Sequence, residues 1–234
     1  MGRWRRWWGL VAFALLALGV PASAQQQQTQ QDPFNGQFGA LQIAPPAPEA
    51  ARLSRMMGDA LANLQPQRPG HQDVYLLVAA LWGQPVFERE ATQAEQILRA
   101  RLHAEGRSIL LTAGGEGART HPAATPENIA AALGQIGSLI NPNEDLVVVF
   151  ITSHGSPDGA AALRDNGQVI GSLRPVNLRD LFTQAGIVNR IVIVSACFSG
   201  AFIAPLADDN TVVLTAASPE RTSFGCQPER EWTF

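Results

Sequence analysis

Residues 146–155 read Leu-Val-Val-Val-Phe-Ile-Thr-Ser-His-Gly. The first seven are mostly apolar and β-branched, which is typical of a strand buried on both faces of a parallel sheet. Polar residues follow at once, with His154 directly before Gly155. Because open parallel sheets bind ligands at the carboxyl ends of their strands, this segment predicts a central strand and a place for chemistry.

Short apolar runs recur on both sides of this segment and alternate with stretches of helical periodicity. We predict strands at 74–81, 108–112, 191–195 and 211–215, helices at 90–103, 125–140 and 177–185, and a hairpin within 158–170 that turns at 165–167. Thr125 followed by Pro126 is typical of a helix start. Strands that alternate with helices indicate an α/β fold, a mostly parallel sheet with helices on both faces.

The N-terminus has the features of a signal peptide over residues 1–24. Three arginines precede an apolar run of 11 residues, Leu10 to Val20, and Ala22-Ser23-Ala24 offers a cleavage site. A bilayer span needs about 20 residues, so a cleaved signal is favoured over an uncleaved anchor. We expect an exported bacterial protein, periplasmic or secreted, that begins at Gln25 and has no stable membrane insertion.

Residues 25–70 are predicted to form a leader ahead of the domain at 71–234. The part from 25 to 50 is rich in Gln and Pro and is expected to be disordered. A short amphipathic helix then carries Leu53, Met56, Met57, Ala60, Leu61 and Leu64. The chain stops at Phe234 without an obvious closing element, which leaves open a truncated C-terminus.

The charge balance bears on the possible partners. The net charge is −3, and the loss of three arginines with the signal peptide would make it −6. Such a chain has no basic patch for nucleic acid or an anionic membrane, so neither partner is predicted. Its two cysteines, Cys197 and Cys226, would form a disulfide in many exported proteins, and that alternative competes with any catalytic role.

The strand at 191–195 also ends in reactive residues, Ala196-Cys197-Phe198-Ser199-Gly200. If it neighbours the strand at 146–152, about 4.8 Å away, His154 and Cys197 project into one crevice. A histidine is the base that a cysteine needs to become a thiolate near neutral pH. The main-chain N–H groups of Gly155 and Cys197 could donate to an oxyanion, so the pattern predicts acyl transfer.

Four segments resemble the legumain family of cysteine peptidases. They are 152–156 (Thr-Ser-His-Gly-Ser), 195–200 (Ser-Ala-Cys-Phe-Ser-Gly), 221–226 (Arg-Thr-Ser-Phe-Gly-Cys) and 125–130 (Thr-Pro-Glu-Asn-Ile-Ala). The resemblance covers about residues 73–234. It implies a caspase-like fold and a polypeptide substrate cleaved by a Cys197–His154 dyad, without metal or cofactor. Transpeptidation by the same dyad is an alternative that the resemblance also implies.

The resemblance is weaker in the substrate pocket. Ser195 stands where legumain has a glutamate that helps to bind asparagine, and Ala91-Thr92 stands where it has an Arg-His pair. Thr222, Ser223 and Glu229 match the remaining polar wall. Ser195, Thr222, Ser223 and Glu229 are therefore the candidate substrate-binding residues, and a preference for asparagine is not expected.

Other interpretations are weaker. His71, His103 and His121 lack the spacing of metal ligands, so no metal site is predicted. The segment 114–117 is glycine-rich but lacks the Lys-Ser/Thr of a phosphate loop, and we expect a flexible loop near the active-site edge. An α/β-hydrolase elbow would need a histidine after Cys197, and none follows. A non-catalytic binding or scaffold module of the same fold remains an alternative.

Overall fold

A computed structural model of the 234-residue chain describes residues 46–114, 117–165 and 168–223. These residues belong to one compact unit. The predicted signal peptide, residues 25–45 of the predicted leader, Cys226 and Glu229 lie outside the described residues.

Seven strands and five helices form the described part of the chain. The strands are β1 (Val74–Ala80), β2 (Ser108–Thr112), β3 (Leu146–Thr152), β4 (Ala161–Asp165), β5 (Gln168–Leu173), β6 (Arg190–Ser195) and β7 (Thr211–Thr215). The helices are α1 (Ala47–Ala62), α2 (Pro85–Arg101), α3 (Pro126–Leu139), α4 (Pro175–Gln184) and α5 (Ile203–Leu206). Two 3₁₀ segments, Gly117–Arg119 and Ser199–Phe202, complete the set.

Five strands form one sheet in the order β2-β1-β3-β6-β7, and every neighbouring pair is parallel. Strands β4 and β5 form a separate antiparallel pair. The predicted α/β class with a parallel sheet is confirmed. β3 lies in the middle of the sheet, with β1 on one side and β6 on the other, so its carboxyl end is flanked by two further strand ends.

The sheet separates two apolar cores, because successive side chains of a strand point to opposite faces. On β3, Val147, Val149 and Ile151 belong to one core and Val148 and Phe150 to the other. The first core contains residues of α3 and α4, and the second contains Val86, Phe87, Ala91 and Ala94 of α2. The continuous apolar runs are thus strands covered by helices on both faces.

The five strands of this sheet were predicted to within one residue at each end. The helix predicted at 90–103 differs from the observed one in both bounds. Helix α2 begins at Pro85, because proline is accommodated in the first turn of a helix, and it ends at Arg101. His103 has φ of +52°, a left-handed conformation that ends helices. At α3 the expected cap is confirmed, since the Thr125 side chain accepts from Asn128 N at 3.2 Å.

Helix α1 corrects the prediction of disorder up to residue 50, because it begins at Ala47. It packs on the rest of the unit: Met57 is 6% exposed and lies in the core that contains Val147, Val149 and Ile151 of β3. Arg52 also donates to the main-chain oxygens of Ala118 and Arg119, at 2.9 and 3.3 Å. The predicted domain boundary at residue 71 therefore divides residues that share one core.

Within residues 46–223, apart from the two short gaps, no helix has both the length and the apolar character needed to cross a bilayer.

Candidate active site

The carboxyl ends of β3 and β6 lie side by side. Thr152 and Ser195 are paired at the ends of the two strands, and Ser153 N donates to Ser195 O at 3.1 Å just beyond. His154 and Cys197 each follow the paired residue by two positions. The register thus brings the two predicted dyad residues to the same place on the sheet edge.

The backbone of Gly155 lies directly against Cys197. A Cβ on Gly155 would be 1.8 Å from the carbonyl oxygen of Cys197 and 3.0 Å from its nitrogen. No side chain fits at so short a separation, so residue 155 must be glycine for the two loops to approach. The use of the Gly155 and Cys197 main-chain N–H groups to bind an oxyanion stays a prediction.

The imidazole of His154 is half-buried among residues that precede or begin α2. Its Nε2 lies 3.0 Å from Oε1 of Gln84. The rings of Trp82 and Phe87 each meet it edge-on, with centroids 4.9 Å away. Burial lowers the pKa of His154 below its ordinary value of 6.5, because desolvation disfavours the charged ring.

The contact with Gln84 selects a tautomer of His154. A carbonyl oxygen only accepts hydrogen bonds, so Nε2 of His154 must carry the hydrogen. In the neutral ring this leaves Nδ1 with the lone pair. The side chain that orients the imidazole therefore also determines which nitrogen can take up a proton.

Cys197 lies in the turn between β6 and the 3₁₀ segment that follows. It is half-buried, and its Sγ is 3.5 Å from Oγ and 4.0 Å from the carbonyl oxygen of Ser223. Phe198 takes a left-handed conformation, φ +56°, that few non-glycine residues adopt. Such strained residues concentrate at functional sites, where the surrounding structure holds them in place.

The loop after β7 holds this turn. Phe198 N donates to Arg221 O and Gly200 N to Ala217 O, both at 2.8 Å. A Cβ on Gly200 would lie 2.5 Å from Cδ of Pro219, so the loop packs directly on the glycine. These contacts place Ser223, at the end of the described loop, beside the thiol.

The candidate substrate-binding residues lie in different environments. Ser223 contacts Cys197, Thr222 is exposed on the same loop, and Glu229 lies outside the described residues. Ser195 is fully buried, and its hydroxyl donates to Oε1 of Glu90 at 2.9 Å. A substrate-binding role stays a prediction for all four, and in this structure the Ser195 side chain faces the interior.

Sequence reasoning missed Gln84 and Glu90. Both lie at or in α2, whose start was placed too late, and their partners His154 and Ser195 are 70 and 105 residues away along the chain. Gln84 still had a usable signal, because a polar residue soon after a buried parallel strand falls at the ligand-binding edge of the sheet. Glu90 had no comparable signal in the sequence.

The glycine-rich segment begins near this edge. A Cβ on Gly83, the residue before Gln84, would lie 2.3 Å from Ala113 O and 3.7 Å from Gly114 Cα. Within the described residues, no three His, Cys, Asp or Glu side chains are placed to hold a metal ion. The surface depression that includes Trp82, Gly83 and Gln84 is completed by Arg164.

A parallel α/β sheet with a cysteine and a histidine at adjacent strand ends is an arrangement suited to a cysteine hydrolase. Residues 123–234, just under half of the chain, match the model of the Peptidase C13 family. That segment contains β3, β6, His154 and Cys197. Over that segment the chain is similar to the Peptidase C13 family, the legumain family, and the match supports a cysteine peptidase.

No curated protein matches the chain. Among solved structures, the crystal structure of caspase-1 from Spodoptera frugiperda is similar, with a TM-score of 0.42 and 14% identity, over 69% of this chain and 68% of that chain.

Proposed function

We propose that this peptidase cleaves polypeptides with Cys197 as the nucleophile, His154 as the base and Gln84 as the residue that orients the base. The proposal is supported chiefly by the pairing of Thr152 with Ser195, together with the approach of Gly155 to Cys197. Both place the histidine loop and the cysteine turn at one edge of the sheet.

The reaction begins with proton transfer from the Cys197 thiol to Nδ1 of His154. The thiolate attacks the carbonyl carbon of the scissile bond, and the oxygen becomes an oxyanion. The N–H groups of Gly155 and Cys197 stabilise that charge, which is the largest contribution of many acyl-transfer sites.

The imidazolium then gives its proton to the leaving amine, and a thioester to Cys197 remains. Water attacks this acyl-enzyme while His154 takes up its proton, and the thiol is restored when the acid leaves. Throughout, Gln84 accepts from Nε2, so the imidazolium keeps its orientation while it carries both protons.

The specificity of the site differs from that of an asparagine pocket. Ser195 and Ala91, at the positions where legumain has charged residues, are both 0% exposed. Neither can reach a substrate side chain in this structure. We therefore propose a substrate preference set by other residues, of which Ser223, beside Cys197, and Thr222, on the same loop, are the candidates.

The dyad is tested with three variants assayed for peptide cleavage and for alkylation by iodoacetamide. Cys197→Ala should abolish turnover and remove the fast-labelled thiol, with Cys226 as the internal comparison for an unassisted cysteine. His154→Ala should lower kcat/KM by about a hundred- to ten-thousandfold, as loss of a general base does. Gln84→Ala should give a smaller loss, since Trp82 and Phe87 still hold the ring.

His121→Ala is the matched control, because His121 is also half-buried and also has a pKa lowered mainly by burial. It should cleave peptides at the parental rate. Thermal midpoints of all variants show whether a loss of activity only follows a loss of folded protein. If Cys197→Ala cleaves peptides as fast as the parent, the proposed function is wrong.

A further inference from the structure

Glu90 is a fully buried acidic residue, 0% exposed, that the proposed mechanism does not use. Its Oε2 accepts from Thr152 Oγ1 at 2.5 Å and its Oε1 from Ser195 Oγ at 2.9 Å. One side chain thus joins the ends of β3 and β6.

The two hydroxyls that Glu90 binds are related to the dyad in the same way. Thr152 precedes His154 by two residues, Ser195 precedes Cys197 by two, and the two are partners across the sheet. A shift of either strand end would move the corresponding catalytic side chain. A carboxylate that binds both ends therefore restrains the relative positions of base and nucleophile.

Glu90 is also part of a stripe on α2 that faces this edge. Gln84, Phe87 and Glu90 are three residues apart, a spacing that puts side chains on one face of a helix. Gln84 and Phe87 contact His154 directly, while Glu90 contacts the strand ends beneath it. Gln84 and the first two turns of α2 thus contact the His154 ring and the residues two positions before His154 and Cys197.

Resting on the proposed function, we propose that Glu90 is a positioning residue of this peptidase: its carboxylate binds Thr152 and Ser195 and so sets the geometry of His154 and Cys197. It does not touch substrate. Its contribution is made to the chemical step, because misplacement of reacting groups by about 1 Å can cost on the order of a hundredfold in rate.

The test uses two substitutions of Glu90 and a control on the same helix. Glu90→Met keeps the length of the side chain and removes both acceptors. It should lower kcat by about ten- to a hundredfold and leave KM nearly unchanged, as expected when only the chemical step is affected. Glu90→Gln should stay close to the parental kcat, because its amide can pair with both hydroxyls, which accept as well as donate.

Glu95→Met is the matched control. Glu95 accepts from the Ser108 hydroxyl at 2.8 Å, so it makes the same kind of bond from α2. Ser108 is the first residue of β2 and therefore lies at the amino ends of the parallel strands, opposite the ends that carry the dyad. This variant should keep the parental kcat. A loss as large as that of Glu90→Met would show that any such bond matters only for folding, and would overturn the proposal.

A triple variant, Glu90→Met with Thr152→Val and Ser195→Ala, separates position from stability. It removes the buried hydroxyls that Glu90→Met leaves without the carboxylate, so part of the thermal stability should return. The kcat should remain low. If kcat recovers together with the thermal midpoint, Glu90 is only structural and the proposal is wrong.

Different experimental outcomes would reject this proposal and the proposed function. If labelling of Cys197 depends on His154 but Glu90→Met turns over at the parental rate, only the role of Glu90 is excluded. If Cys197→Ala cleaves peptides as the parent does, the dyad itself is excluded and the role of Glu90 with it.

Discussion

The surroundings of His154 meet two requirements of its proposed role as a base. A base must be neutral to accept a proton, and it must hold one orientation to accept it from a particular sulfur. Trp82 and Phe87 supply the first by removing water from the ring, and Gln84 supplies the second through Nε2. These contacts therefore suit His154 to its proposed role as the base.

The lowered pKa of His154 gives a prediction for the pH dependence of activity. Because the neutral form persists below the ordinary value of 6.5, the acidic limb of kcat/KM should have its midpoint below that value. Gln84→Ala, which leaves the apolar contacts in place, should keep the limb low while reducing the plateau. A midpoint above 6.5 in the parent would mean that the free enzyme stabilises the charged ring instead.

The lowered pKa of His154 also makes the stability of the folded protein depend on pH. The sign is opposite to that for a salt-bridged histidine, whose pKa is raised. Below 6.5 the unfolded chain takes up a proton at residue 154 more readily than the folded protein, so folded stability falls as pH decreases toward the folded pKa. Above pH 6.5 the ring is neutral in both the folded and the unfolded state, so His154 no longer makes the folding free energy depend on pH. His121 acts in the same direction, so chemical unfolding of His154→Gln and His121→Gln should each show a weaker loss toward acid than the parent.

Among the elements, α2 shows where sequence reasoning succeeds and where it stops. The strands of the main sheet were predictable because burial on both faces demands unbroken apolar runs. The approach of the His154 loop to the Cys197 turn was predictable because parallel strand ends share an edge. The contacts of Gln84 and Glu90 were not, since they depend on which helix face meets which strand end, and no local pattern specifies partners 62 to 105 residues away.

Helix α1 offers a test of whether the segment before residue 71 is part of the domain. Met57 lies in the core at 6% exposure, while its neighbour Met56 is only partly buried. Met57→Ala should lower the free energy of unfolding by about 2 kcal/mol or more, the usual cost of emptying such a site. Met56→Ala is the matched control and should cost well under half as much. Denaturant unfolding of both variants measures the difference, and equal values would mean that α1 contributes no core contact.

For the whole molecule, we expect an exported protein that begins at Gln25. The expectation comes from the arginines, the apolar run and the small residues of 1–24, which lie outside the described residues. N-terminal sequencing of the protein recovered outside the cytoplasm measures it directly. The same preparation, mapped without reduction, should yield Cys197 and Cys226 as unlinked peptides. Intact Met1 in the membrane fraction would contradict the first expectation, and a quantitative bridge the second.

The wide separation of the site residues has a consequence for how the protein acquires its activity. Helices form in about a microsecond, but parallel pairing of distant strands is slow because long loops must close first. Gln84 meets His154, and Glu90 meets Ser195, only after β3 and β6 have joined the sheet. Until then Cys197 is an ordinary thiol. On the proposed function and the expected export, a chain that crosses a membrane unfolded is inactive in transit, and completion of the fold is the proposed activating event.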